Sequence, residues 1–406
     1  MKKVLFLSTY IYILLACAVT ACKEDVQKPL NSSSGTPGKV SNIGIVNENG
    51  QATLTYTLPG NPDLAYVKAV YDLRSGVKRE VKASQYTNTL VVDGFGDTLP
   101  HVITLYAVNK SEVASEPVAI TVKPLENPIW AVYRNLKVLA DFAGVRIISK
   151  NPVRANVSII AMVDTTYEYV LLRGIYTSTD SINQPIRGLS IKATKLAVFV
   201  RDRFLNSTDT LFTTLTPLYE AALPKSNYKT MTPVIWPGDA PMTNSSSGTA
   251  GVGIPKIWDG DIINWPSCLA GTPTNLAPQS FTFDLGQLAQ LSRIVIWDYP
   301  EYLNNGRIYY YRGCMKRFEV WGSANPATDG SWDSWTLLGE FTEVKPSGSA
   351  YGIQTTEDYD MAYAGFSWDF RIDVPKMRYL RVRCKENWVG TTFPMISEVQ
   401  VYGDAR

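Results

Sequence analysis

The chain has 406 residues, a formal net charge of +2 and one histidine, His101. A near-neutral balance gives no basic field for nucleic acid, and a lone imidazole excludes His-rich metal sites and any Ser/His/Asp triad away from His101. The 23 tyrosines and 10 tryptophans are flat apolar rings with polar tips, suited to sheet surfaces and wet binding sites alike.

Met1-Lys2-Lys3 precedes an apolar run of roughly 18 residues, the pattern of a secretory signal. The run is also close to the shortest membrane span, so an uncleaved anchor is the alternative. Val19-Thr20-Ala21-Cys22 resembles the lipobox of bacterial lipoproteins, which makes residues 1–22 a lipoprotein signal and Cys22 the acylated residue. Leu14-Leu15-Ala16-Cys17 fits the same pattern. Lys23-Glu24-Asp25 favours Cys22, because it is similar to the export tag of lipoproteins sent to the outer face of the Gram-negative outer membrane. Acyl chains, at ~0.8 kcal/mol per buried CH₂, would hold the chain in outer-membrane lipid. Residues 23–38 are polar and rich in Ser, Gly and Pro, a flexible tether.

From residue 39 short alternating segments follow one another. Ala52-Thr53-Leu54-Thr55-Tyr56-Thr57-Leu58 stops at Pro59-Gly60, and Tyr66–Tyr71, Thr89–Val92 and His101–Val108 are each bounded by turn residues. Strands at this spacing without a helical period predict a sandwich. Leu105-Tyr106-Ala107-Val108-Asn109-Lys110 matches Val198-Phe199-Val200-Arg201-Asp202-Arg203, and Val122–Leu125 matches Leu215–Leu218 at the same offset. Two copies of one unit of about 90 residues are expected, over 39–125 and 126–222. Tyr106-Ala107-Val108-Asn109 followed by Ser115-Glu116-Pro117 resembles the end of a fibronectin type III module. In the second copy Asp202 replaces the asparagine and the Ser-x-Pro is missing, which makes that kinship weaker. Both units read as spacers.

Residues 223–406 open irregularly through Pro233, Pro237, Pro241 and the patch Asn244–Gly248. Then come Lys256-Ile257-Trp258-Asp259-Gly260-Asp261, Phe281-Thr282-Phe283-Asp284-Leu285-Gly286, the apolar run Leu291–Trp297, Phe318–Ser323, Trp335–Gly339, Arg378–Arg383 and the closing Glu398-Val399-Gln400-Val401-Tyr402-Gly403. In this order they resemble the coagulation factor 5/8 type C, or discoidin, domain, which implies a β-sandwich or jelly roll with ligands at the loops of one end. The expected fold is therefore all-β: two immunoglobulin- or fibronectin III-like sandwiches, then a discoidin-like one. Three cysteines follow the anchor; Cys314 and Cys384 are the expected disulfide, with Cys268 left over.

The discoidin resemblance implies a structural Ca²⁺ at Asp259 and Asp261, with Glu398 as the distant ligand. A hard cation wants about six to eight oxygens around such a turn. Ile262-Ile263 stand where a small hydroxyl residue is expected, and Asn264 is the candidate replacement. The alternative is a pair of turn carboxylates capping backbone N–H groups. Sugar rings stack on aromatic faces and bond planar polar groups, which points to Trp297-Asp298-Tyr299-Pro300-Glu301-Tyr302, to Asn304–Arg307 and to Tyr309-Tyr310-Tyr311-Arg312. Trp265, Trp388 and 359–368 are further candidates, while Trp297 and Trp321 are expected in the core. The first choices are Tyr299, Tyr302, Arg307, Tyr311 and Trp388.

The whole order resembles lipoproteins of glycan-foraging loci in gut-type Gram-negative bacteria. That likeness implies a cell-surface polysaccharide binder working beside a TonB-dependent transporter and its starch-binding-type lipoprotein. An adhesion or scaffold role toward a protein of that complex is the alternative. Glu357, Asp358 and Asp360, or Asp298 with Glu301, are the only carboxylate groupings worth naming for hydrolysis. No motif frames them, so no enzyme is expected.

Overall fold

The computed structural model describes residues 35–242, 252–304 and 306–406. The signal, Cys22, most of the tether and the patch Asn244–Gly248 lie outside the described residues.

Seven strands make the first unit: β1 (Ser41–Glu48), β2 (Gln51–Thr57), β3 (Leu64–Arg74), β4 (Val77–Ser84), β5 (Thr89–Asp93), β6 (His101–Asn109) and β7 (Val118–Val122). They form two facing sheets, β1-β2-β5 and β4-β3-β6-β7. Alternation places Ala52, Leu54 and Tyr56 of β2 inward against Val67, Ala69 and Tyr71 of β3. The expected tether reaches too far, because Gly35 and Gly38 are already tied to the sandwich by Asn109 and Asn61.

Helix α1 (Pro128–Arg134) leads into the second unit. Its strands are β8 (Lys137–Asp141), β9 (Gly144–Lys150), β10 (Val157–Asp164), β11 (Tyr169–Thr177), β12 (Ser181–Arg187), β13 (Thr194–Asp202) and β14 (Leu211–Leu215). They repeat the arrangement as β12-β9-β8 facing β11-β10-β13-β14. The repeat holds in detail. Asn109 Oδ1 accepts the N–H groups of Ser111 and Val113, and Asp202 Oδ1 accepts those of Phe204 and Asn206. The Ser115 hydroxyl accepts the Ala107 N–H; Thr208 does the same for Val200. The turns share a left-handed residue, Glu112 (φ 61°) and Leu205 (φ 67°). An aspartate and a threonine thus perform what the asparagine and serine perform, so the second copy is nearer the first than its letters suggest.

The third unit begins with β15 (Ala221–Ala222), two residues before the expected boundary, because this pair already bonds the closing strand. It continues with β16 (Lys229–Thr230), β17 (Leu269–Ala270), β18 (Gln279–Asp298), β19 (Glu301–Leu303), β20 (Gly306–Ile308), β21 (Met315–Ser323) and β22 (Thr336–Thr342). Helix α2 (Thr356–Ala364), β23 (Phe366–Asp369), β24 (Met377–Asn387) and β25 (Met395–Asp404) complete it. β18 serves both sheets. Its first part pairs with β24, and its last part, Gln290–Asp298, pairs with β25. The bend between them needs Gly286 (φ 70°), where a Cβ would meet the Asn227 carbonyl oxygen at 2.2 Å. Phe281, Phe283, Ile294, Val320, Leu380 and Val401 fill the core. The unit is a two-sheet β-sandwich, and among the described residues the architecture is all-β apart from two short helices.

Cys268, Cys314 and Cys384 are all buried and unpaired. The expected Cys314–Cys384 bridge is thus corrected: each thiol serves as a small apolar core group. Among the described residues, no helix is long and apolar enough to cross a membrane.

Polar joints connect the units. Arg203 bonds Asp93 at 2.6 Å, and Asn127 bonds both the Phe95 carbonyl and Asp202 at 2.9 Å. At the next joint Glu220, nearly buried, receives Ser292 (2.6 Å), Arg293 (3.3 Å) and Arg187 (3.6 Å), while Asp369 takes Arg187 at 2.8 Å. Arg293 marks the joint end of the third unit and Asp298 the opposite end, roughly 17 Å away along an extended strand.

Candidate functional site

The end of the third unit away from the joint is built where β18 stops and β25 starts. Tyr299, directly after β18, turns back to bond the Met395 carbonyl. Trp265, in the lead-in to β17, packs edge-on against the Tyr299 ring at 5.6 Å. These two rings, with Gly271, Glu301, Arg312 and Phe393, line a cavity of about 230 Å³. Arg312 pairs with Glu301 at 3.3 Å; the arginine is half-exposed and the carboxylate largely shielded. The recess therefore has apolar ring walls and one planar ion pair with free hydrogen-bonding edges, the combination that holds a small polyhydroxylated ring.

Of the first choices from sequence, three form one connected group. Arg307 donates to the Tyr299 hydroxyl (3.2 Å) and the Pro300 carbonyl (3.1 Å), and its guanidinium lies 4.4 Å from the Tyr302 ring centroid. Tyr299 is 5% exposed, a wall rather than a platform, whereas Tyr302 is 66% exposed. Burial raises the Tyr299 phenol's pKa, with Arg307 opposing the shift. Tyr311 stacks nearly parallel on Tyr351, with centroids 4.7 Å apart and planes at 20°.

Trp388 belongs elsewhere. Its indole donates to Glu343 Oε1 at 2.9 Å and packs edge-on against buried Tyr310, so it holds the interior together. Sequence reasoning left Glu301, Arg312, Phe393 and Tyr351 out of its first choices. Strand parity held the signal for Glu301, since it and Tyr302 are neighbours in β19 and must point to opposite sides. For Phe393 and Tyr351 no local pattern existed.

Beneath the recess lies a buried acidic pair. Asp298 and Glu343 are 2% and 4% exposed. Their carboxyl groups face each other; neither Asp298 oxygen has a hydrogen-bond partner, and Glu343 holds only the Trp388 indole. Burial drives both pKa values up, and mutual repulsion adds to the rise at Glu343. Two bare charges here would cost several kcal/mol each, so the pair keeps a proton.

The residues at the expected calcium position do not fit the ion. Glu398, 1% exposed at its side chain, bonds the Lys225 ammonium and the Gly260 N–H. Asp261 accepts the N–H groups of Ile263 and Asn264, and Asp259 is taken by Ser267 and Lys256. A cation cage needs open oxygens; these are filled by donors, two of them ammonium groups. Among the described residues, no group of three or more His, Cys, Asp or Glu side chains could hold a metal.

Three family models divide the chain. Residues 37–124 match a family described as "Domain of unknown function (DUF4959)", 125–226 one described as "Domain of unknown function (DUF5126)", and 258–403 a third, DUF5000, described as "Domain of unknown function". No curated protein matches. Among solved structures, the C-terminal domain of a chitobiase from Bacteroides fragilis is 14% identical over 46% of this chain and 99% of its own, at a TM-score of 0.31. A two-domain fibronectin type III segment of chicken tenascin is 12% identical over 44% of this chain and 98% of its own, at 0.21. SusE-like protein BT2857 is 31% identical, over 69% of this chain and 100% of its own length, at a TM-score of 0.45. By that identity along the whole relative, the chain belongs to the SusE-like family.

Proposed function

We propose that the chain is a non-catalytic glycan-binding protein of the cell surface, and that the Trp265–Tyr299 recess is its saccharide site. The observation that carries the reading is the recess itself: two aromatic walls and a Glu301–Arg312 pair around about 230 Å³, at the end away from the joints. Membership of the SusE-like family supports the same reading. In it, acylated Cys22 fixes the base in outer-membrane lipid, the first two sandwiches act as spacer, and the bound polysaccharide passes to a TonB-dependent transporter and its starch-binding-type lipoprotein. A single shallow site at millimolar to micromolar strength, about −4 to −8 kcal/mol, suffices when many copies are displayed together.

The named carboxylates support a binding role over hydrolysis. Asp298 faces the interior while Glu301 faces the recess. Asp358 is consumed by the Thr355 capping box and by Ser347.

Affinity gels cast with starch, xylan, galactan, mannan or mucin glycans test the proposal. Retardation by at least one gel, lost in Trp265→Ala with an unchanged melting temperature, is the expected result. A chain that runs freely through every gel refutes it. Exposed Val344 and Val389, beside the Glu343–Trp388 pair, favour a second reading, a protein partner of the uptake complex; pull-down of that complex without any gel retardation would select it.

A further inference from the structure

Beside the recess stands an aromatic surface that the single-sugar site leaves unused. Tyr351 is 45% exposed although it stacks on Tyr311. Its hydroxyl accepts the backbone N–H of Arg312 at 3.2 Å, and the Arg312 side chain forms a wall of the recess. One residue thus separates the recess from the stacked rings.

The loop that carries Tyr351 is held in place. Lys345, 5% exposed, spends its ammonium on the carbonyls of Ala350 and Ile353. Gln354 accepts the Tyr309 N–H (2.8 Å) and donates to the Arg307 carbonyl (3.0 Å), which ties the loop to the β19–β20 hairpin. On the other side, Tyr310 (φ 53°) and Arg312 (φ 44°) adopt left-handed backbone that side chains seldom take. These conformations flank Tyr311 and aim it at its partner. A ring held this firmly offers its face without paying ordering entropy on contact, and a flat ring with a polar tip suits the C–H face of a sugar.

We propose that the recess is one end of a groove at least two sugar units long, with the neighbouring unit lying on the Tyr311–Tyr351 stack. The ligand is then a stretch of polysaccharide chain rather than a lone monosaccharide. This rests on the saccharide reading of the recess and adds a length requirement to it.

Calorimetry with mono-, di- and trisaccharides cut from whichever polysaccharide retards the chain tests the groove. In the unmodified protein, affinity is expected to rise on the order of tenfold from one unit to three. Tyr351→Phe keeps the ring and should keep that ratio; Tyr351→Ala should bring it near one. Circular dichroism confirms that both variants are folded. Equal affinity for one and three units, or a wild-type ratio in Tyr351→Ala, overturns the groove and leaves the recess standing. Absence of binding at every length overturns both.

Discussion

Asp298 and Glu343, 45 residues apart in the chain, face each other carboxyl to carboxyl inside the third sandwich, with no basic side chain bonded to either. Tyr309, Tyr310, Cys314 and Cys384 surround them with polar groups that bring no positive charge. The next residue, Tyr299, is a wall of the recess, so the pair's protonation state bears on the shape of the site.

Stability should therefore fall as pH rises. An unfolded aspartate titrates near 4, while burial lifts Asp298 to about 7. The folded chain holds more protons between those values, so its advantage is full below about pH 4 and lost as pH climbs through 7. Melting temperatures taken from pH 5 to pH 8 are expected to decline, and Asp298→Asn should flatten the slope. An identical slope in that variant would remove Asp298 as its cause.

Lys225 should make the third unit indifferent to calcium. Its ammonium already neutralises Glu398, so neither added Ca²⁺ nor EDTA is expected to move the melting temperature. Lys225→Met strands a buried carboxylate and should cost about 3 kcal/mol in urea unfolding. A calcium-dependent shift in the unmodified chain would contradict this.

The two tryptophans near the site should separate binding from stability. Trp265→Ala opens a recess wall and should weaken saccharide affinity on the order of tenfold or more while leaving urea unfolding close to wild type. Trp388→Ala frees Glu343 and leaves a gap against Tyr310; about 3 kcal/mol of stability should go with it. The reverse outcome would exchange their roles.

The joints rest largely on ion pairs and amide hydrogen bonds, with Asp93–Arg203 and Glu220–Arg293 as anchors. Small-angle scattering at low salt should give one extended shape, and Glu220→Gln should broaden the distance distribution. An unchanged distribution would assign the rigidity to other contacts.

Strand alternation and the 93-residue offset between Asn109 and Asp202 carried most of the fold, because sandwich burial has period two and a duplicated turn keeps its spacing. The second copy looked weaker only because a letter comparison misses that Asp202 and Thr208 present the same acceptor atoms. The recess was legible as a loop cluster but not residue by residue. Trp388 resembled an exposed platform until Glu343 claimed its indole. At the expected calcium position Glu398 meets Lys225, which lies 173 positions away, a pairing that no local spacing reveals. The disulfide expectation assumed that an exported chain uses its cysteines as cross-links, whereas these side chains were needed as small core fillers.

Those fillers have a further consequence. Burial drives the Cys268 thiol up to about 12 and raises those of Cys314 and Cys384 as well, so thiolate, the reactive form, is scarce at any ordinary pH. Among the described residues these three offer no bridge to reduce and little nucleophilic sulfur, so a reducing agent has nothing to open among them.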